Sequence, residues 1–294
     1  TEARTAVPER RELPVPPLPE IDCAQETPQL TVSVADLAQL TPELLARGPA
    51  RVYAPLEQLS RCDALPAGDT VWYAVLPRIW RDRDEADLRS MLEKVREKGV
   101  RGALLGNIGH LSLTRDLGLE LCGDYGLNVF NSRSLDYLRQ KGLTSACASF
   151  ELRFAQLRDL QKILPTEAIV YGRLPLMITE NCIVANEFGC RHFKGRCGAL
   201  CADSACAGAP ELTDRVGERF PVLHAYGCRS ELQNGKTLWL ADKPEYRKIG
   251  LTYARLRFTT ESAEECVRVL RAYKGREEYT PKDITRGLFY RGVE

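Results

Sequence analysis

Six of the eleven cysteines fall between positions 182 and 228: Cys182, Cys190, Cys197, Cys201, Cys206 and Cys228. They are interleaved with Gly, Ala, Arg and Asn, which build no core of their own. Such a segment needs something else to order it, and thiolates gathered around a metal supply that. Cys197 and Cys201 have the close spacing of a structural zinc site, but no second close pair stands apart from them. The wider intervals suit four ligands converging from separate turns, as an iron–sulfur cluster allows, although the compact ferredoxin run is absent. A zinc-stapled loop, a disulfide-laced loop and partly idle thiols stay open as readings. His192 and His224 flank the cysteines as substitute ligands. The basic run Arg191, His192, Lys194 and Arg196 either meets phosphate or is a solvated loop face.

Other chemistries find little footing. There is no HExxH and no GxSxG, and His110, His192 and His224 are the only histidines. His110 follows a predicted strand end and is either a base or a turn residue. No GxGxxG or GxxxxGK[ST] follows a strand, which weakens a nucleotide-binding reading. The remaining cysteines, at 23, 62, 122, 147 and 266, are single, and Cys147 and Cys266 read as small core residues.

The cysteines must be held by a scaffold. Apolar β-branched runs recur at 30–34, 50–55, 70–76, 101–107, 126–132, 145–152, 168–176 and 253–259, with a return strand at 236–242. Between several of them lie amphipathic stretches. Residues 84–98 place Leu88, Met91, Leu92 and Val95 on one face and stop at Gly99. Ser134 is placed to cap a helix ending at Gly142, 154–164 ends before Pro165, and a last helix sets Cys266, Val269, Leu270 and Tyr273 inward. Strand then helix, repeated about eight times with strands that look buried rather than alternating, predicts an α/β fold. Its form is a (β/α) barrel-like parallel sheet with a Cys-rich inserted excursion over 180–235. The excursion contains a β-hairpin with its turn near 215–217. Residues 1–29, Pro-rich and without an initiator Met, read as a linker from an upstream domain of a longer chain, with 30–294 as a single domain.

In such a barrel chemistry collects at the C-terminal ends of strands. Those ends give Asn107, Asn128, Asn131, Glu151, Arg173, Asp242 and Arg257. The catalytic candidates are Glu151, Arg173, Asn128 and Asn131. Glu151 and Arg173 stand out because a charge directly after an apolar run must be solvated or paired. A net charge of +1 points to neither a polyanion nor an acidic membrane, and no apolar run is long enough to span a bilayer. The odd cysteine count without a secretion signal favours a reducing, cytoplasmic setting.

The pieces GDYGLNVFNS (123–132), SFEL (149–152), YGRLPLMITENC (171–182), LTDRVGERFPV (212–222), CRSELQNGKTLWLAD (228–242) and TRGLFYRGVE (285–294) stand in an order that resembles the collagenase-like peptidase family U-32. The likeness covers about 120–294 and is closest to the second repeat of the family's long members. It implies a barrel-like α/β fold and two activities, namely peptide or collagen cleavage, or oxygen-independent hydroxylation of an RNA base or quinone ring. For the second it implies a [4Fe-4S] cluster held by Cys182, Cys190, Cys206 and Cys228. Cys197 and Cys201 compete for the third position, and zinc is the alternative metal. The substrate implied is RNA or a peptide.

Overall fold

The computed structural model describes residues 14–66, 68–188 and 210–291. Twelve strands are found among them: β1 (Gln29–Ser33), β2 (Val52–Pro55), β3 (Trp72–Val75), β4 (Gly102–Leu105), β5 (Glu120–Gly123), β6 (Ser145–Cys147), β7 (Thr166–Thr179), β8 (Glu211–Thr213), β9 (Arg219–Ala225), β10 (Arg229–Trp239), β11 (Tyr253–Arg257) and β12 (Ile284–Thr285). β1 to β7 pair in sequence order, all parallel. β11 then joins β7 to β1, again in parallel, and closes an eight-stranded ring. Helices fill the connections: α1 (Pro42–Ala46), α2 (Leu56–Arg61), α3 (Glu85–Glu97), α4 (His110–Leu113), α5 (Ser132–Gln140), α6 (Phe154–Asp159), α7 (Ile183–Phe188) and α8 (Ala263–Tyr273). The expected (β/α) barrel is therefore present. No helix among the described residues is long and apolar enough to cross a membrane.

The ring strands are buried on both faces, as expected, but the two faces meet different surroundings. Val32, Val52, Ala54, Trp72, Ala74, Ala103, Leu105, Ala254 and Leu256 face outward, into one core with Leu44, Leu59, Leu88, Leu92, Val95 and Leu270 of the helices. Each fully buried Leu or Val in that layer contributes roughly 1.5–3 kcal/mol. The other face of the same strands turns into the ring, where Tyr53, Tyr73, Leu104 and Cys122 form a separate small cluster. Thr31, Glu167 and Arg255 lie there too, buried and joined by hydrogen bonds. The period of two thus separates an apolar outer layer from an interior that mixes apolar and charged side chains.

Three boundaries differ from expectation. The fifth strand is 120–123, not 126–132, which instead forms a 3-10 turn (Tyr125–Leu127) and a single bridge from Val129 to Ala148. The turn is forced by a close approach, since a Cβ on Gly126 would stand 2.5 Å from the Gly106 carbonyl oxygen. α6 stops at Asp159 because the buried Lys162 ammonium takes up the Leu157 and Leu160 carbonyls at 2.5 and 2.7 Å. α5 is capped by Asn131, whose Oδ1 accepts from the Ser134 N–H at 2.9 Å, and not by Ser134.

The return strand also lies elsewhere. β10 runs antiparallel to the outer half of β7 and belongs to a side sheet, β7–β10–β9–β8, rather than to the ring. β7 leaves the ring at Gly172, where φ is +121° and a Cβ would stand 2.0 Å from the Arg257 carbonyl oxygen. Only glycine fits that bend. The expected hairpin is β8–β9, turning through Asp214–Gly217, with Gly217 at φ +87°.

Candidate functional site at the barrel mouth

The C-terminal end of the ring opens into a cavity of about 830 Å³. Its floor is a charged layer inside the barrel. Glu167 accepts from Thr31 Oγ1 at 2.5 Å, Tyr53 Oη at 3.3 Å and Arg255 Nε at 2.9 Å, with Arg255 Nη2 in close contact. Arg255 Nη1 reaches Asp124 at 2.5 Å, and its guanidinium lies 4.5 Å over the Tyr53 ring. Burial works against the charge on Arg255, but Glu167 and then Asp124 hold it well above the ordinary arginine range. Arg255 and Glu167 are both essentially inaccessible, so each ion depends on the others for compensation.

Above this floor stands a second layer centred on Glu231 of β10. Its carboxylate accepts from Arg78 at 2.8 Å, Gln233 Nε2 at 3.1 Å, Arg257 at 3.3 Å and Tyr125 Oη at 3.5 Å. Arg257 also donates to Gln233 Oε1 at 2.8 Å and to the Arg173 carbonyl at 2.6 Å. The guanidiniums of Arg78 and Arg257 lie 5.3 and 6.0 Å from the Tyr125 ring centre, so one aromatic ring attends two cations. Burial, then Glu231, raises the Tyr125 phenol and keeps it a donor. Val34, Leu76, Ile79, Val222, Leu223 and Phe258 supply apolar wall. Two guanidiniums, one carboxylate and a fixed phenol at the base of an apolar well can grip the polar edge of a flat ring.

Cys182 is part of the cavity wall. The last pair of the β7–β10 ladder is Thr179 with Ser230. Cys182 and Cys228 follow and precede that pair by three and two residues, so both stand at one end of the ladder. The end is pinned: Ser230 Oγ accepts from the Ile183 N–H at 3.0 Å, and the buried Arg229 pairs with Glu180 at 3.0 Å. Cys182 Sγ accepts from the Ala185 N–H at 3.4 Å at the start of α7. Cys228 takes a left-handed φ of 60°, beside Gly227 at 74°. A Cβ-bearing residue is uncommon there, and the turn aims a thiol where glycine would be cheaper. Neither sulfur is in a disulfide, and both residues are half-buried. Cys190, Cys197, Cys201, Cys206, His192 and the basic run lie outside the described residues. Among the described residues no group of three or more His, Cys, Asp or Glu is placed to hold a metal ion.

Residues 58–274 match the family model described as Peptidase family U32. The chain belongs to peptidase family U32. No curated protein matches it. Among solved structures, a Coccidioides immitis protein described as a fructose-1,6-biphosphate aldolase shares 13% identity and a TM-score of 0.35, covering 49% of this chain and 64% of that one. A thiamine phosphate pyrophosphorylase from Pyrococcus furiosus shares 13% identity and a TM-score of 0.33, covering 48% and 74%. The Bacillus cereus spore cortex-lytic enzyme shares 12% identity and a TM-score of 0.34, covering 88% and 76%. At these scores they carry no argument about activity.

Within this U32 domain the strand-end residues singled out from sequence have varied places. Arg173 donates to the Asn234 and Gly235 carbonyls, and its own carbonyl takes Arg257. Asn131 is the cap of α5, and Asn128 ends the 3-10 turn at φ 51°. Glu151 is half-buried in the turn after β6, with its N–H on Ser149 Oγ at 3.4 Å. Asn107 holds the Arg78 carbonyl at 3.3 Å and so sets the loop that presents Arg78. Asp242 is paired with Arg286 at 2.6 and 2.7 Å. Of the seven, only Arg257 lines the cavity. Sequence reading passed over Arg78, Asp124, Tyr125, Glu167, Glu231 and Arg255. A signal was available in β7 and β11, where Glu167, Arg255 and Arg257 interrupt apolar runs on alternate positions.

Proposed function

We propose that this U32 domain is a cysteine-ligated iron–sulfur module whose barrel mouth receives a planar ring, an RNA base or a similar substrate, for hydroxylation. The reading is carried by one observation: Cys182 in the cavity wall and Cys228 stand at the same end of the β7–β10 ladder, beside a cavity whose base presents Arg78, Arg257, Glu231 and Tyr125. The donor chemistry fits, because free, half-buried thiols suit a soft cluster. Cys182 and Cys228 would hold it together with Cys190 and Cys206, with Cys197 or Cys201 able to replace Cys206. A bound cluster would supply one-electron chemistry next to the cavity. The chain's own residues orient the ring: Glu231 accepts from its N–H edge, Arg78 and Arg257 donate to its carbonyl oxygens, and the apolar wall excludes water.

The test is iron and acid-labile sulfide analysis of anaerobically prepared full-length protein, with Cys182→Ala and Cys228→Ala beside it. About four irons per chain, lost in either variant, is the expected result. Protein that stays free of iron after reconstitution refutes the cluster. Stoichiometric zinc in its place would make the loop a metal staple in a docking domain. The family's description favours a second reading, peptide cleavage. It requires the full-length, metal-restored protein to cleave gelatin or a peptide, and no cleavage under those conditions removes it.

A further inference from the structure

At the opposite, N-terminal face of the barrel a second cavity of about 450 Å³ lies between the start of β1 and the end of α8. Arg247 and Lys274 line it together with Tyr246, and no carboxylate does. Both cations are half-buried, and neither has an acidic partner among the described residues. Helix capping explains part of their placement. Arg247 Nη2 donates to the Tyr273 carbonyl at 3.1 Å, and Lys274 Nζ donates to the carbonyl of Arg47, which ends α1.

Capping leaves donors over. Arg247 Nη1 makes no hydrogen bond among the described residues, and an ammonium has three donors of which Lys274 uses one. Tyr246 is buried, and its hydroxyl accepts from Arg247 Nε at 3.1 Å, which leaves its own O–H without an acceptor among the described residues. Burial, followed by the like charges of Arg276 and Arg47, pulls the Lys274 ammonium below its ordinary range. Two partly desolvated cations and a free phenol facing one cavity lack a counterion, and a dianion would relieve all three.

We propose that this cavity is an oxyanion site that takes the phosphate or diphosphate group of a small molecule. The site is remote from the mouth and is independent of any cluster held there. Isothermal titration of the full chain with inorganic phosphate and with pyrophosphate, at ionic strength matched with chloride, tests it. Pyrophosphate is expected to bind one per chain and to raise the melting temperature with the logarithm of its concentration. Arg247→Gln and Lys274→Gln should each weaken binding roughly tenfold, the loss of one charge-assisted hydrogen bond. Gln29→Glu, which sets a carboxylate on the cavity from the exposed first residue of β1, should abolish binding without touching the caps. Lys248→Gln, beside the cavity but outside its lining, should leave binding intact. Three results would overturn the proposal: no heat with either anion, equal binding by Gln29→Glu, or binding of a short oligonucleotide without binding of pyrophosphate.

Discussion

Acid should loosen this fold through His110. The residue opens α4, is wholly inaccessible, and lies 6.2 Å from the Trp80 ring, nearly parallel to it. Its Nε2 is 3.1 Å from the Pro77 carbonyl oxygen, so Nε2 carries the proton and Nδ1 is bare, and Nδ1 has no partner among the described residues. Burial lowers the imidazole from 6.5 to about 4, against the smaller opposing pull of the Pro77 carbonyl and Asp124. Above pH 6.5 the ring is neutral whether the chain is folded or not, and its full contribution to stability is present. Between pH 6.5 and 4 the unfolded chain takes up a proton that the folded chain refuses, so stability falls as pH falls. At 1.36 kcal/mol per pH unit the total loss is about 3 kcal/mol, and below pH 4 this residue adds no further slope. Urea unfolding of the wild type and His110→Gln at half-unit steps from pH 7.5 to 4 isolates the effect, because Gln keeps a donor for Pro77 but does not titrate. The wild type should lose about 3 kcal/mol more than the variant across that range. Parallel curves for the two proteins would show that the ring charges freely where it lies, and the reasoning would fail.

Three further outcomes follow from the interior. Arg255→Met leaves Glu167 and Asp124 buried without their cation and should cost about 3–5 kcal/mol in urea unfolding, with part recovered on adding Glu167→Gln. Gly172→Ala should lower the unfolding free energy by well over the about 1 kcal/mol expected of Gly48→Ala, since both glycines have positive φ but only Gly172 meets backbone. Glu231→Gln keeps the shape of the upper layer but releases Arg78 and Arg257 from their shared anion. It should therefore leave melting within a few degrees of wild type while weakening binding of a ring ligand by about tenfold, read by titration.

The barrel was legible because its outer faces obey simple rules. Leu88, Leu92 and Val95 repeat at helical spacing and meet strand residues such as Val52 and Ala74, as expected. The charged part of the interior was not legible in the same way. Thr31, Glu167 and Arg255 come from three strands far apart in sequence, and only ring closure brings their side chains within hydrogen-bonding range. The fifth strand was misplaced because GLNVF has strand-like residues, but the tight approach of Gly126 to Gly106 bends the chain there. Arg173 drew attention as a charge after an apolar run and proved to be occupied by the carbonyls of the β10 bulge. Glu231, the centre of the mouth, lies in a segment whose pairing with β7 had no local signature.

The bend at Gly172 gives one strand two duties. Its inner half completes the circle, and its outer half carries β10, β9 and β8 as a cantilever. None of the described residues between Glu180 and Trp239 supplies a pairing that closes the ring, because closure runs through β7, β11 and β1. The span bearing the cysteines can therefore grow, shrink or change its side chains while the charged floor beneath keeps its dimensions. A domain built this way separates the evolution of its cover from that of its vessel.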